Sequence, residues 1–225
     1  MMDPSDRDTL IALSDVVDIS YRQKLEEPHK PPPYVYFVES GLASLIYLRR
    51  GDNVAEVALV GREGCTGCST ILGVEHSPRG TMMQVPGRAR RIEAARLTDA
   101  MDHSRGLHRF LLRFVHTQLV QRDETTLAAS RGKLLHRLAR WLLMVKDRLE
   151  SDSLPLTHEV IALMLSVRRA GVTLALGELQ TAGLIELSRS KIQVTDREGL
   201  LTLAGAFYGA TEAEFERLIG GLTAA

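Results

Sequence analysis

The spacing of apolar positions changes three times along this chain, and each change predicts a different kind of element. Over residues 9–19 it is that of a short helix. The Lys30-Pro31-Pro32-Pro33 run holds the backbone extended, and beyond it the period shortens to that of strands. Residues 34–38, 42–48 and 54–60 are rich in β-branched and aromatic side chains, punctuated by Gly41 and by Gly51-Asp52. Residues 82–85 and 88–92 read as a further hairpin around Pro86-Gly87, so an antiparallel β unit is expected over about residues 20–95. From residue 107 to 149 the helical period returns, with one weak point at Ser130-Arg131-Gly132. Leu107, Leu111, Phe114, Val115 and Leu119 make a broad apolar stripe there. It covers its own β unit, a twin helix from a second subunit, or both. Leu134, Leu135, Leu138, Leu142 and Leu143 make the next stripe and build the base of a C-terminal unit, in which Trp141 reads as a core anchor.

Residues 156–195 carry the most specific pattern. Thr157 is placed to cap a helix, and Glu159 sits in the first turn, where the helix dipole favours a carboxylate. Val160, Ile161, Met164 and Leu165 recur at helical spacing. After a break at Ser166-Val167, Arg168-Arg169 opens a second helix with Val172, Leu176 and Leu179 on its inner face and Gly183 as its stop. Residues 184–187 and 192–195 flank the polar turn 188–191 as a two-stranded wing. This is the layout of a winged helix-turn-helix, whose second helix enters the DNA major groove with its N-terminal side chains at the base edges. Paired arginines there suit guanine or phosphate contacts. Their charge opposes the helix dipole, and a bound phosphate would offset that cost. The same period also suits a helical hairpin packed on a β-hairpin that binds nothing.

Composition adds limits. A chain of 225 residues holds one large or two modest domains, and 44% apolar with 25% charged residues is ordinary for a globular protein. Formal net charge is zero, but it is uneven. Over residues 131–199 Lys and Arg outnumber Asp and Glu by 11 to 8, against 16 to 17 over residues 1–130. A modest C-terminal surplus suits a DNA-binding unit attached to a neutral one. No apolar run is of bilayer length, and the first residues, MMDPSDRD, lack a signal-peptide core, so cytoplasmic residence without membrane contact is the expectation.

Candidate chemistry is sparse. Cys65-Thr66-Gly67-Cys68 has a spacing that suits redox chemistry or half a metal site, and a helix N-terminus would lower a thiol pKa. A closed zinc site needs four ligands, with His76 the nearest further donor; two buried structural thiols are the plainer reading. The histidines form no metal-binding pair, and Gly61, Gly64 and Gly67 lack the strand-to-helix context of a dinucleotide loop. No Ser/His/Asp set is present. The expectation is therefore no enzyme, no catalytic residue, no metal and no cofactor.

The order of parts resembles the bacterial Crp/Fnr-type transcription regulators. The resemblance rests on Tyr34-Val35-Tyr36-Phe37-Val38-Glu39-Ser40-Gly41, on Val57-Ala58-Leu59-Val60-Gly61-Arg62-Glu63-Gly64-Cys65-Thr66-Gly67, on Met82-Met83-Gln84-Val85-Pro86-Gly87 and on residues 156–195. It implies an α+β fold: an N-terminal antiparallel β-roll of the double-stranded β-helix or jelly-roll type, a long central dimerisation helix, and a C-terminal winged helix-turn-helix. Bounds of 1–103 for a cyclic-nucleotide-binding-like sensor, 104–130 for the dimerisation helix and 131–225 for the DNA-binding unit follow. The implied partners are a second copy of the chain, a pseudo-palindromic double-stranded DNA operator, RNA polymerase and a small-molecule effector of unknown identity. A hinge near Gly132 would transmit the signal.

By the resemblance, Arg169 matches an arginine that contacts guanine, while Ala170 and Leu174 stand where many members carry an acidic and a basic residue. Arg168, Arg169 and Thr173 are the candidates for base or phosphate contact, with Gly171 allowing close approach. Thr157, His158, Ser188, Arg189 and Lys191 are candidates for phosphate contact. The effector pocket would involve Gly64, Gly67, Cys68, Arg79, Gly80 and Thr81. There Cys68 replaces the glutamate that binds a ribose hydroxyl, and the Arg-Ser pair that neutralises a cyclic phosphate is reduced to Arg79. Losing those polar groups argues against cyclic AMP. The dimer contacts would be Leu107, Leu111, Phe114, Val115 and Leu119. Two alternatives stay open: a thiol-based redox-responsive regulator through Cys65 and Cys68, and a dimeric interaction module whose winged helix binds no DNA.

Overall fold

The structure, a computed structural model, describes residues 2–49 and 53–220. Gly51-Asp52, expected to separate two strands, lie outside the described residues. The chain opens with α1 (Pro4–Ala12), started by proline in its first turn and by Asp3, which accepts the Ser5 N–H. The helix expected over residues 9–19 stops early, because Asp15–Ile19 form β1. Val16 and Val17 are stiff, β-branched residues, and a ladder with a strand seventy residues away outweighs the local helical period.

The β-roll continues with β2 (Lys24–Glu26), β3 (Tyr34–Val38), β4 (Leu42–Arg49), β5 (Asn53–Val60), the short α2 (Cys68–Ile71), β6 (Gly80–Val85) and β7 (Gly87–Glu93). Two antiparallel sheets result, ordered β1-β7-β3 and β2-β6-β4-β5. The expected hairpin around Pro86-Gly87 does not form. β6 pairs with β2 and β4, whereas β7 pairs with β1 and β3, so this turn carries the chain from one sheet to the other. Gly87 is needed there, since a Cβ would meet the Ser40 carbonyl oxygen at 2.1 Å.

α3 (Ala94–His103) leads into α4 (Arg105–Arg131), whose cap is Ser104 accepting the Leu107 N–H at 3.1 Å. Its 27 residues make a rod about 40 Å long. The Gln121 amide clamps the β5 backbone, accepting from Leu59 N at 2.6 Å and donating to Leu59 O at 3.2 Å. At Gly132 the backbone turns extended (φ −80°, ψ 135°), and α5 (Leu134–Leu149) begins.

The C-terminal half holds β8 (Ser153–Leu154), α6 (His158–Met164), α7 (Arg169–Thr181), β9 (Ile185–Ser188) and β10 (Lys191–Val194). The wing is a three-stranded sheet, β8-β10-β9, with one strand more than the expected pair. α8 (Arg197–Ala204) and α9 (Ala210–Leu218) follow, two helices beyond the expected elements. α9 runs back along α4 and sends Phe215 into the β-roll core. In the other direction Leu42, Leu59 and Val85 of the β-roll join the core built on Leu138, Leu142, Val172 and Leu176. Among the described residues no single helix is long and apolar enough to cross a membrane.

Candidate nucleic-acid interface and the cavity behind it

α6 and α7 meet at a bend of 110° across a tight turn, within the range of helix-turn-helix pairs. Thr157 caps α6 by accepting the Val160 N–H at 3.3 Å. The turn closes with Val167 N donating to Ala162 O and with Ser166 at φ +52°, a left-handed position that usually falls to glycine or asparagine. Val172, Ala175, Leu176 and Leu179 bury one face of α7. Its outer face is therefore fixed by what its inner face packs against.

Arg168 is the N-cap residue of α7 and Arg169 its first residue. Both are exposed, and the helix start has no side-chain cap. Arg169 pairs with Glu159 at 3.0 Å, and the Glu159 carboxyl is held below its ordinary range by its own backbone N–H, with Arg169 adding to the effect. Thr173 is exposed on the next turn, its hydroxyl 2.9 Å from His158 Nδ1. The wing brings Ser188 and Lys191 to the same side: a shallow cleft is lined by Thr157, His158, Arg169, Ser188, Ser190 and Lys191. Arg189 is exposed at the wing tip. Gly171 does not face outward as expected, because a Cβ there would meet Leu134 of α5 at 3.3 Å. The glycine on the outer face is Gly177, which has open space beside it and shares that face with Thr173 and Leu174.

The expected effector residues split into two places. Under the β-roll, Gly67 starts α2 at φ +73° and donates its N–H to Glu26 Oε1 at 2.7 Å. Thr81 donates its hydroxyl to the same oxygen at 3.1 Å. The chain's own carboxylate thus occupies these donors, a role that no local pattern around Glu26 signals. Gly64 lies against the Phe114 ring, where a Cβ would come within 2.3 Å, and Gly80 is buried at the start of β6. Arg79 instead lines a cavity of about 540 Å³ between the two halves of the chain. The walls of this cavity are Tyr47 and Glu56 of the β-roll, Arg122 of α4, Arg137, Arg140 and Trp141 of α5, and Leu165-Ser166 of the helix-turn-helix break.

Polar ties cross this junction. Glu56 accepts from Trp141 Nε1 and from the Ser44 hydroxyl, each at 2.6 Å, and burial pushes its carboxyl up to about 7. Trp141 is thus a core residue with a polar task. Glu63 and Arg148 approach to 2.8 Å with side chains only 1% and 2% exposed. The N–H is not aimed at the oxygen, so charge rather than an aligned hydrogen bond holds the pair. Nearer the surface Arg62 meets Glu150 at 2.7 Å.

Cys65 and Cys68 are both free and buried. Burial pushes both thiols up, opposite to the direction expected from a helix N-terminus. His76 instead packs edge-on to His29, and among the described residues no group of three or more potential metal ligands occurs.

The dimerisation stripe needs correction. Leu107, Leu111, Phe114 and Val115 are buried in the β-roll core of their own chain, with Phe215 and Met101 in the same cluster. Each such burial is worth about 1.5–3 kcal/mol and leaves nothing for a partner. Leu119 alone of the five is exposed, together with Leu112 and Leu127 on another face of α4.

Residues 136–203 match the Crp-like helix-turn-helix domain. Solved structures with the same overall fold include FixK2 from Bradyrhizobium japonicum, with a TM-score of 0.73 at 18% identity over 86% of this chain and 98% of that one. A transcriptional regulator of the Crp/Fnr family from Eubacterium rectale aligns with a TM-score of 0.70 at 18% identity over 90% and 95%. The c-di-GMP-responsive global regulator CLP from Xanthomonas campestris aligns with a TM-score of 0.68 at 16% identity over 85% and 99%. No protein of curated function matches the sequence. At these identities the likeness establishes the fold: a Crp/Fnr-type architecture with a Crp-like helix-turn-helix domain.

Proposed function

We propose that this chain, with its Crp/Fnr-type fold, is a homodimeric, sequence-specific DNA-binding transcription regulator whose sensor half does not bind cyclic AMP. One observation carries the DNA reading. α7 buries its leucine face in the domain core and presents Arg168 and Arg169 at an exposed, uncapped start and Thr173 on the next turn, beside Ser188 and Lys191 of the wing. Guanidinium groups reach guanine edges there, while the wing and Thr157 hold phosphates. The cyclic AMP statement is supported by Glu26, because an internal carboxylate at Gly67 and Thr81 both repels a phosphate and takes its donors. For the dimer, Leu112, Leu119 and Leu127 repeat at seven- and eight-residue intervals along α4, a seam for a second copy in place of the buried stripe.

The test is selection of bound duplexes from a random pool at physiological salt, with wild type and Arg169→Ala in parallel. Enrichment of a two-fold symmetric site by the wild type is expected. Arg169→Ala should lose about 1–3 kcal/mol on that site and flatten the preference at the contacted base. Weak, sequence-independent retention that vanishes with salt would instead favour an interaction module.

A further inference from the structure

The segment after α8 lies beyond the span that matches the helix-turn-helix domain and holds none of the residues proposed for DNA contact, yet it is tied down at several points. A single 3-10 turn, Gly205–Phe207, touches both α4 and α5, and α9 then runs along α4. Phe215 is buried in the β-roll core with Leu111 and Val115. On the surface beside it the Glu214 carboxylate lies 2.9 Å from His116 Nε2 of α4 and 2.7 Å from Arg217 Nη2. At the near end Tyr208 donates its hydroxyl to Asp147 of α5, a carboxylate that Arg197 also meets at 3.2 Å. Between these ties Phe207 sits on the Gly132 turn. That turn is held only lightly by its own backbone. Gly132 N donates to Ala128 O at 2.8 Å, but Lys133, from which α5 starts, supplies no side-chain cap. Phe207 fills the space instead. Its Cε2 would lie 3.4 Å from a Cβ at Gly132, and its ring stacks on His136 in the first turn of α5, with centroids 6.0 Å apart. His136 Nδ1 is buried with no hydrogen-bond partner, so stacking orients that ring. A change in the angle between α4 and α5 therefore disturbs an aromatic contact and pulls on Tyr208 and Phe215 at once.

We propose that residues 205–219 are a strap that fixes the angle between α4 and α5 from within the chain, with Phe207 as its positioning residue at the Gly132 turn. The strap needs no second molecule, since each of these contacts is made in cis. It does not work by masking, because Arg168, Arg169 and Thr173 stay exposed on α7. What it sets is where the reading head stands relative to the long helix. Resting on the homodimeric regulator reading above, a fixed angle in each subunit fixes the distance between the two recognition helices. The pair should then accept one half-site spacing and reject its neighbours.

Hydrogen exchange on the full-length protein, without DNA, tests the strap. In Phe207→Ala the amides of residues 128–137 should exchange about tenfold faster, the scale of a lost aromatic pair, while those of β3 and β7 keep their wild-type rates. Phe207→Tyr keeps the ring and should exchange like the wild type. Should Phe207→Ala fail to fold by circular dichroism, Tyr208→Phe replaces it. That variant removes only the hydroxyl on Asp147, and an acceleration of about fivefold is expected at the same amides. Unmoved exchange at residues 128–137 in a folded variant overturns the proposal. So does equal acceleration in the β-roll, the mark of lost stability alone. Operators whose half-sites are moved apart or together by one base pair then read the consequence. The wild type should prefer one spacing by about tenfold or more, and Phe207→Ala should lose most of that preference. An unchanged preference in a variant whose turn exchanges faster overturns the link from strap to spacing. If the wild type binds no duplex at all, the regulator reading fails, and the exchange result still decides the strap.

Discussion

Beneath the β-roll and at the junction, the same side-chain types are arranged to opposite effect. Under the roll, Glu26 places one carboxylate oxygen on two donors, Gly67 N and Thr81 Oγ1, and the place is closed from within. At the junction four arginines line a cavity with a single carboxylate, which is itself engaged by Trp141 and Ser44. Close by, Glu63 and Arg148 neutralise each other in full burial. The lesson is that an acceptor supplied in cis closes a polar site, whereas at the junction the arginines meet neutral oxygens instead. Neither could be foreseen from motif positions, because Glu26 lies 41 residues from Gly67 in sequence.

The contrast can be broken most sharply at the buried pair. Glu63→Ala leaves the Arg148 guanidinium buried and uncompensated, which should cost about 3–5 kcal/mol in urea unfolding. Arg62→Ala, at the more exposed pair with Glu150, should cost less than about 1 kcal/mol. Equal losses for the two would show that burial is not what distinguishes them. A smaller effect is expected at Glu56, whose carboxyl rises from an ordinary 4.5 to about 7 in the folded chain. The group is protonated in both states below the lower value, so its contribution to stability is full there and is lost as pH rises toward 7. Replacement by glutamine keeps an acceptor for Trp141 and removes the ionisation. Glu56→Gln should therefore exceed the wild type by up to about 3 kcal/mol at pH 8, the gap closing toward pH 4.5. A gap that does not change with pH would sink the assignment.

The smallest expected effect lies on the outer face of α7, where among the described residues Leu174 stands 70% exposed. A leucine held there beside Ala170 can meet a thymine methyl in the major groove, whereas an acidic and a basic residue would read other edges. Replacing the facing thymine by deoxyuridine in the selected site should cost about 0.5–1 kcal/mol with the wild type. Leu174→Ala should be insensitive to that exchange, and an equal loss in both proteins would remove the contact.

Much of this architecture was legible because it is local. The α6–α7 break, the Arg168-Arg169 start, the wing turn and the stop at Gly183 all follow from short-range period and cap chemistry. What escaped was set by distant partners. Asp15–Ile19 became a strand through β7, and residues 82–92 split between sheets instead of folding back on themselves. The stripe of Leu107, Leu111, Phe114 and Val115 could be read as buried, but whether its cover was its own chain or another was a question of topology. The same holds for the cavity: Arg79, Arg122, Arg137 and Arg140 are scattered in sequence and meet only because α5 docks against the β-roll.

The exchange of core residues between the halves has its own consequence for how the molecule comes apart. Leu42, Leu59 and Val85 are packed in the C-terminal core, and Phe215 in the N-terminal one. Neither half can open without exposing apolar surface of the other, so thermal unfolding of the full chain should run as one cooperative transition rather than two. A fragment cut at the Gly132 turn would then be two incomplete cores, each missing side chains that the other half carries.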